Sequence, residues 1–599
     1  MRQLNPIVLA CLLLGCGKQP AHQGPCADRN PLKNVYFGDL HVHTSYSFDA
    51  YDYGTRTDPA SAYAFARGAK VDVARGAVPS QGQPQGPFGV KINFGGAKLD
   101  FMAVTDHAEF LATEQGCYFD SRSPFHNDPF CVAQRSLPNP NFQEANSATN
   151  VLKSPCLSYA GNSPTATTAV CTAATQTAWQ TEIQAANAAY DACTFTTFHA
   201  FEWSGAALDL STNATLHRNV FFANDHVPAM PIDFVQYRGE TFMWKALEDQ
   251  CNASNDCEAL TIPHNSNQSQ GRMFDISKYT ADDFVRMARY QKLVEIHQHK
   301  GTSECLTDTA DDGTVSACTF EIETGDTDPS SVPGYVRPAL EHGISTLVST
   351  GSNPLQLGFV GATDTHNATP GNTGEQSWPG HTGVIDNTPA LRLNTIAGQN
   401  PGGLTGVWAE ENTRESIWAA LQRREVFATS GTRIKVRFYQ VADASHACDD
   451  PSFPSQIVAQ NGVPMGGTFA DGTKAPSFVI YALQDQTPLA AVDVVKASAP
   501  SGQAVVERIY TVPLSSAPYC LSWSDPDFKA GAPAFYYVRL REQPTPRWSH
   551  YDCEALKQSN PSDWQSIAPG CASTDPASGG QDVMIQERAW SSPIWYVPG

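Results

Sequence analysis

His41 and His43 stand two residues apart at the end of the apolar run VYFGDL. Five further runs that read as strands end in the same kind of residue. LDFMAVT leads into Asp106 and His107, and TFTTFHAF into Glu202. EALTIP leads into His264, KLVEI into His297 and His299, and QLGFVGAT into Asp364 and His366. A His-x-His pair on an extended backbone places both rings on one side, because strand side chains repeat every two residues. Both can then reach one cation, and Asp49 in the following loop could reach a neighbouring ion. Imidazole and carboxylate without thiolate suit divalent Zn, Mn or Fe. The chemistry such a set supports is hydrolysis by water whose pKa is lowered by bound metal. Glu202 lies between Phe201 and Trp203. A carboxylate among aromatics needs a charge partner, and bridging two cations would supply it.

Separate strands that each deliver a ligand at the C-terminal end describe an α/β barrel with its site on that face. One histidine alone is more often a packing or surface residue. His126, His226, His381, His446 and His550, which follow no such strand, keep that reading. The αβ pattern runs from Val35 to about Thr432. Trp179, Ile183, Ala186 and Tyr190 mark a helix over Thr175–Cys193 that feeds the strand ending at Glu202. A helix from Tyr335 to His342 has Gly343 as its stop. Asn412 or Thr413 caps a helix through Gln422, with Arg423 and Arg424 where cations are favoured, and Val426–Thr429 follows as a strand. Residues 70–97 and 113–172 read as long excursions over the barrel mouth. From about residue 440 the period changes. Ser477–Leu483, Ala491–Lys496, Ala504–Thr511 and Ala534–Arg541 read as strands of an appended β-sandwich of about 150 residues. Trp548 and Trp590 read as packing residues against the barrel.

At 599 residues the chain is too long for one compact core. The net charge of −21 with no basic block is poorly matched to nucleic acid or an anionic membrane surface. Arg2 and the apolar stretch Ile7–Leu14 form a targeting segment too short to span a bilayer. It ends in Leu13-Leu14-Gly15-Cys16, which resembles a bacterial lipobox and implies cleavage before Cys16 and a lipid anchor on it; the alternative is an ordinary signal peptide. Setting Cys11 and Cys16 aside leaves fourteen of the sixteen cysteines, with no C-x-x-C pair. An exported chain with that count reads as disulfide-stabilised. Cys117/Cys131, Cys156/Cys171, Cys251/Cys257, Cys305/Cys318 and Cys553/Cys571 are the close neighbours. The expected organisation is a lipoprotein signal over 1–15, a tether over 16–33, a barrel over 34–440 and a β-rich domain over 441–599. The expected location is periplasmic or tethered at the outer membrane.

The segments GDLHVHTSYSFDA, AVTDHAEF, FEWSG, HRNVFF, IPHNSN and GATDTHNATPG resemble the PHP (polymerase and histidinol phosphatase) superfamily, in its secreted branch known as domain of unknown function 3604. ATSGTRI and PTPRWSHYDCE extend the resemblance over nearly the whole mature chain. It implies a distorted seven-stranded (β/α) barrel, TIM-like, holding two or three divalent ions. Carried over by position, His41, His43, Glu202 and Asp364 hold the first. Glu202 and His264 hold the second, with His217 or His299 completing it. Asp49, His107 and His366 hold the third, Asp49 standing where many relatives have histidine. Asp106 orients a neighbouring ligand. Asp364, His366, Arg218 and His299 are the candidates for direct catalysis. Arg218 either faces a substrate anion or forms a salt bridge, and Glu304 and His299 line the pocket.

The resemblance implies phosphoester hydrolysis, with small phosphodiesters, organophosphate triesters and monoesters all open. A metal-dependent amidase or lactonase, or a lipid-tethered binding protein, are the competing readings. No G-x-S-x-G elbow and no G-x-x-x-x-G-K-[ST] loop occur.

Overall fold

Eight strands surround one buried cluster and bring their ends to a common point. They are β1 (Asn34–Asp39), β2 (Phe101–Met102), β3 (Thr196–Thr197), β4 (His199–Trp203), β5 (Arg218–Phe222), β6 (Ala259–Pro263), β7 (Leu293–Gln298) and β8 (Gly358–Gly361). The computed structural model describes residues 24–73, 91–92, 98–135, 153–157, 160–161, 164–206, 214–322, 329–449, 461–470, 472–501, 503–514, 517–576 and 579–599. The lipobox with Cys16, and most of the 70–97 excursion, lie outside these residues.

β1 pairs in parallel with β2, and β2 with β3. β7 pairs in parallel with β8. Between these, β4, β5 and β6 form an antiparallel sheet in which Arg218 lies opposite both Trp203 and Pro263. The strand reversal puts the N-terminal end of β5 beside the C-terminal ends of β4 and β6. On the other flank β1 pairs antiparallel with β9 (Leu404–Ala409), and β9 with β10 (Val426–Thr429). Tyr36, Phe101, Ala200, Phe221, Leu260, Leu293, Val360 and Val407, drawn from strands across all these sheets, share one buried cluster. Fully burying each large apolar side chain contributes about 1.5–3 kcal/mol, so this interior is what holds the strand ends in place. The protein is thus a mixed α/β molecule with several sheets.

Helices cover the outside. α1 (Phe48–Asp52) carries Asp49. α2 (Thr168–Ala189) buries Trp179, Ile183 and Ala186 and is capped by Thr167. α3 (Val336–Thr350) runs through Gly343, where a stop was expected; it ends at Gly351, which adopts a φ of +77°. Gly343 instead lets the helix approach Asn353 and Leu355, against which a Cβ would clash. α4 (Arg414–Arg423) is capped by Thr413, whose side chain accepts from the Ser416 N–H.

The described parts of the 113–172 excursion are pinned by the disulfides Cys117–Cys131 and Cys156–Cys171. Tyr118 stacks on Tyr51 at 3.6 Å and Phe119 on Tyr46 at 4.3 Å, so this excursion buttresses α1 and with it Asp49.

Beyond β10 the chain is mainly β. β11 (Lys435–Val441), β12 (Ser477–Leu483) and β15 (Tyr519–Ser524) form one sheet. β13 (Leu489–Ser498) pairs with β14 (Val506–Val512) and β16 (Ala534–Glu542) in another. Phe438, Phe478 and Ile480 of the first meet Val492, Tyr536 and Val538 of the second. This region is joined to the site-bearing strands through the backbone, because β17 (Arg588–Ser591) pairs with both β16 and β10. Trp590 of β17 is buried beside Phe320 and His297, and Trp548 packs on Trp378.

All fourteen cysteines of the described residues pair, in seven disulfides. Five are the close neighbours named above; the other two, Cys26–Cys193 and Cys448–Cys520, join distant segments. Seven disulfides mark a chain that folds in an oxidising, extracellular or periplasmic compartment. Among the described residues no helix is long and apolar enough to cross a membrane.

Candidate metal centre

The loops after the strands are laced together before any side chain is considered. The His43 N–H donates to Thr365 O, Asp364 N–H to His41 O, Glu202 N–H to Asp106 O and His264 N–H to His217 O. Asp364 adopts a left-handed φ of 52°, a conformation that costs a non-glycine residue energy and persists where surrounding contacts impose it. Asp39 supplies such contacts by accepting from the backbone of Thr363, His41 and Gly371.

Four donor atoms converge on one point. His41 Nε2 and His43 Nε2 are 3.2 Å apart; each lies 3.2 Å from Glu202 Oε2 and 3.1 Å from Asp364 Oδ1. Donor atoms about 3.2 Å apart can share one cation at about 2 Å, the length of a zinc–nitrogen or zinc–oxygen bond. The other Glu202 oxygen, Oε1, lies 3.2 Å from His264 Nε2 and 2.5 Å from His217 Nδ1. Asp49 Oδ2 lies 3.3 Å from His107 Nε2 and 3.0 Å from His366 Nε2. Eight of the nine expected positions line one cavity, and His41 reaches the same atoms from behind it; the donor atoms form overlapping clusters, His43 also grouping with Asp49, His107 and His366, and His107 with Glu202 and His217. His217, just before the reversed strand β5, clusters with Glu202 and His107. His299 instead sits 3.4 Å from Asp364 Oδ2.

The far nitrogens of the rings are held by neighbours, as ligating histidines require. Glu295 accepts from His41 Nδ1 at 3.1 Å, Ser47 Oγ meets His43 Nδ1 at 2.7 Å, and Asp364 O accepts from His366 Nδ1 at 2.8 Å. Ser204 Oγ meets His107 Nδ1 at 2.7 Å and donates to Glu109. Asp106 binds Thr44 and Ser47, so it steers His43 through Ser47. His264 Nδ1 is buried without a protein partner.

The electrostatics call for cations. Burial opposes ionisation of Asp49, Glu202 and Asp364, yet the surrounding imidazoles and Lys300 hold all three well below the usual carboxylate range. Burial also pushes His264 down to about 3 and His366 to about 4, leaving neutral rings fit to ligate. His107 goes the other way: burial disfavours its charge, but Glu202 and Asp49 push it up to about 10. Without metal, protonated His107 therefore partly neutralises the carboxylates. Its folded pKa lies above the ordinary 6.5, so its contribution to stability is full below pH 6.5 and is lost as pH rises through about 10. Chelator-treated protein is expected to lose Tm between pH 6.5 and 10, and divalent metal, which needs deprotonated ligands, is expected to remove that loss. Thermal unfolding across that range with and without chelator checks this; a flat chelated profile contradicts it.

Two expected site residues lie elsewhere. Arg218 opens β5 immediately after His217, and successive strand residues point to opposite faces. Its buried guanidinium donates to Gln291 and to the carbonyl of Leu216, near Trp203 and Trp244; it does not line the cavity, and among the described residues no carboxylate pairs with it. Glu304 faces the C-terminal sheet and accepts from Arg337 at 2.6 Å, Tyr537 at 2.7 Å and Trp590 at 2.8 Å. His299 does line the cavity, whose volume is 190 Å³. Three further residues belong to the site: Glu295, Lys300 and His381. His381 lines the cavity with Nδ1 2.7 Å from Asp386 Oδ2 and its ring 4.1 Å from that of His299.

An α/β frame that gathers nine histidine and carboxylate side chains, seven of them buried and two half-buried, presents several groups suited to binding a metal ion. The chain belongs to the family described as Protein of unknown function (DUF3604), which matches residues 30–520 and 515–598. No curated protein matches it. Among solved structures, a two-domain protein containing a predicted PHP-like metal-dependent phosphoesterase from Bacteroides vulgatus is similar at 10% identity. That match covers 87% of this chain and 94% of the other, with a TM-score of 0.28, too low to carry an argument.

Proposed function

We propose that the chain is a metal-dependent phosphoesterase acting on small phosphate esters, built on a distorted seven-stranded PHP-type barrel with residues 441–599 as a β-rich domain packed against it. The observation that carries this reading is the placement of Glu202, whose two oxygens face two separate ligand groups. One carboxylate shared between two ligand sets suits a pair of adjacent ions. His41, His43 and Asp364 would complete one set, His264 and His217 the other, and Asp49, His107 and His366 would hold a third ion. Mn, Zn or Fe bound there would supply an acidified water and neutralise the phosphoryl oxygens.

The protein's own groups provide the rest. Glu295, Ser47 and Ser204 fix the ring orientations. His381, braced by Asp386 at the cavity wall, is placed to give a proton to the leaving oxygen. Attachment through a lipid on Cys16 would keep the enzyme at the bacterial envelope, where it meets exogenous esters.

The test is metal content of protein made in an oxidising compartment, with turnover of nitrophenyl phosphate mono-, di- and triesters with and without chelator. Two or more Mn, Zn or Fe per chain, and chelator-sensitive release lost in His41→Ala and Asp364→Ala, is the expected result. Bound metal with no turnover on phosphates would redirect the reading to carbonyl substrates. Well-folded protein without metal would leave a binding protein.

A further inference from the structure

The hairpin after β7 carries a charge that the ligand set does not use. β7 pairs with Gly301–Thr302, and His299 and Lys300 are the two residues of the turn. Gly301, at a φ of +103°, permits the reversal. Gln298 clamps the turn from both ends, donating from Nε2 to Asp364 Oδ2 at 2.8 Å and accepting from the Lys300 N–H at 2.9 Å. Asn267 donates to the Lys300 carbonyl at 3.2 Å. The backbone of Lys300 is thus fixed, and its ammonium pairs with Asp364 Oδ2, the oxygen turned away from His41 and His43.

We propose that Lys300 anchors the charged oxygen of the substrate, so that the site selects small phosphomonoesters or phosphodiesters over neutral triesters. This inference rests on the phosphoesterase reading. An ammonium offers three donors, and Asp364 takes one. The side chain is 26% exposed, and it lines the cavity. Among the described lining residues no arginine and no second lysine is present. The remaining wall is polar: Thr215, Asn265, Gln268 and Gln399 surround the ligands, and Tyr53 is the one aromatic side chain besides the histidines. Among the described residues, the lining of this 190 Å³ cavity offers little apolar surface on which aryl or alkyl arms of a triester would be buried. It fits a phosphoryl group with a short hydrophilic body.

The experiment is calorimetric titration of inorganic phosphate into metal-loaded full-length protein, for wild type, Lys300→Met and Lys300→Arg, with metal content determined alongside. Lys300→Met is expected to bind phosphate about 10- to 100-fold more weakly at unchanged metal content, as expected for loss of a charged hydrogen bond. Lys300→Arg, which keeps the charge but changes its shape, is expected to bind phosphate more tightly than Lys300→Met. On esters, Lys300→Met should lose kcat/KM on anionic substrates by a similar factor and on a neutral triester by less than about threefold. Unchanged phosphate affinity in Lys300→Met, or a loss that tracks loss of metal, overturns the inference. Wild-type protein that binds phosphate but hydrolyses no ester would refute the phosphoesterase reading while the anchor still stood.

Discussion

Glu202→Gln is expected to empty two ligand groups at once. The amide keeps the shape but removes the charge shared between the His41–His43–Asp364 set and the His264–His217 set. Turnover should fall by on the order of 10³-fold or more, since metal-borne charge stabilisation is worth several kcal/mol. Metal content should fall by more than in any single-histidine variant. Glu295→Gln is the useful contrast. Glu295 touches only the far nitrogen of His41, so its loss should cost about 10- to 100-fold in metal affinity or activity. Elemental analysis and steady-state kinetics on both variants check the order. If Glu202→Gln kept its full metal complement, Glu202 would not be the shared ligand.

The second large effect falls on stability. Glu304 is buried and accepts from Arg337, Arg539, Tyr537 and Trp590, three of which belong to the C-terminal strands β16 and β17. Burial alone would raise its pKa; Arg539, Arg337 and Arg588 hold it well below the usual carboxylate range. Glu304→Ala takes a shared carboxylate from Arg337 and Arg539, which keep Asp308, Asp493 and Glu507, and removes the acceptor of the Tyr537 and Trp590 donors, so the cost is about 1–3 kcal/mol. The variant's urea midpoint should drop accordingly at pH 7. Because the folded pKa is depressed, the contribution of Glu304 is present above its ordinary pKa of 4.5 and fades as pH falls below it. The gap between variant and wild type should therefore narrow in acid. A midpoint unchanged at pH 7 would mean that solvent screens the cluster.

Much of the ligand set was legible because extended backbones repeat every two residues, which made His41-x-His43 and Asp364-x-His366 stand out after apolar runs. The same rule, applied to His217 and Arg218, places them on opposite faces and explains why only the histidine reaches the centre. Glu295 was hidden inside an apolar run, where a charge in mid-strand gives no sign of which ring it will meet. Lys300 sits in a two-residue turn and Glu304 follows it, and no local pattern announces that reversal. His381 follows no strand at all; only the folded loop brings it against His299. For the fold, strand runs such as Val426–Thr429 and Ser477–Leu483 were readable from β-branched and aromatic content. The antiparallel insertion of β5, and the backbone join between β10 and β17, are long-range pairings that composition does not encode.

That join has a consequence for how the molecule is made. β10 takes its outer neighbour from Arg588–Ser591, a segment synthesised long after the strands that lead to the candidate site. Until that segment arrives, Phe427 and Ala428 head an unpaired strand edge that can recruit a strand from another chain. A nascent polypeptide, or one clipped by a protease after residue 441, would carry every ligand and still expose this adhesive border. Secretion of the chain in an unfolded form, with closure only after the distal segment has crossed, would hide the border during synthesis and make recombinant truncations prone to clump.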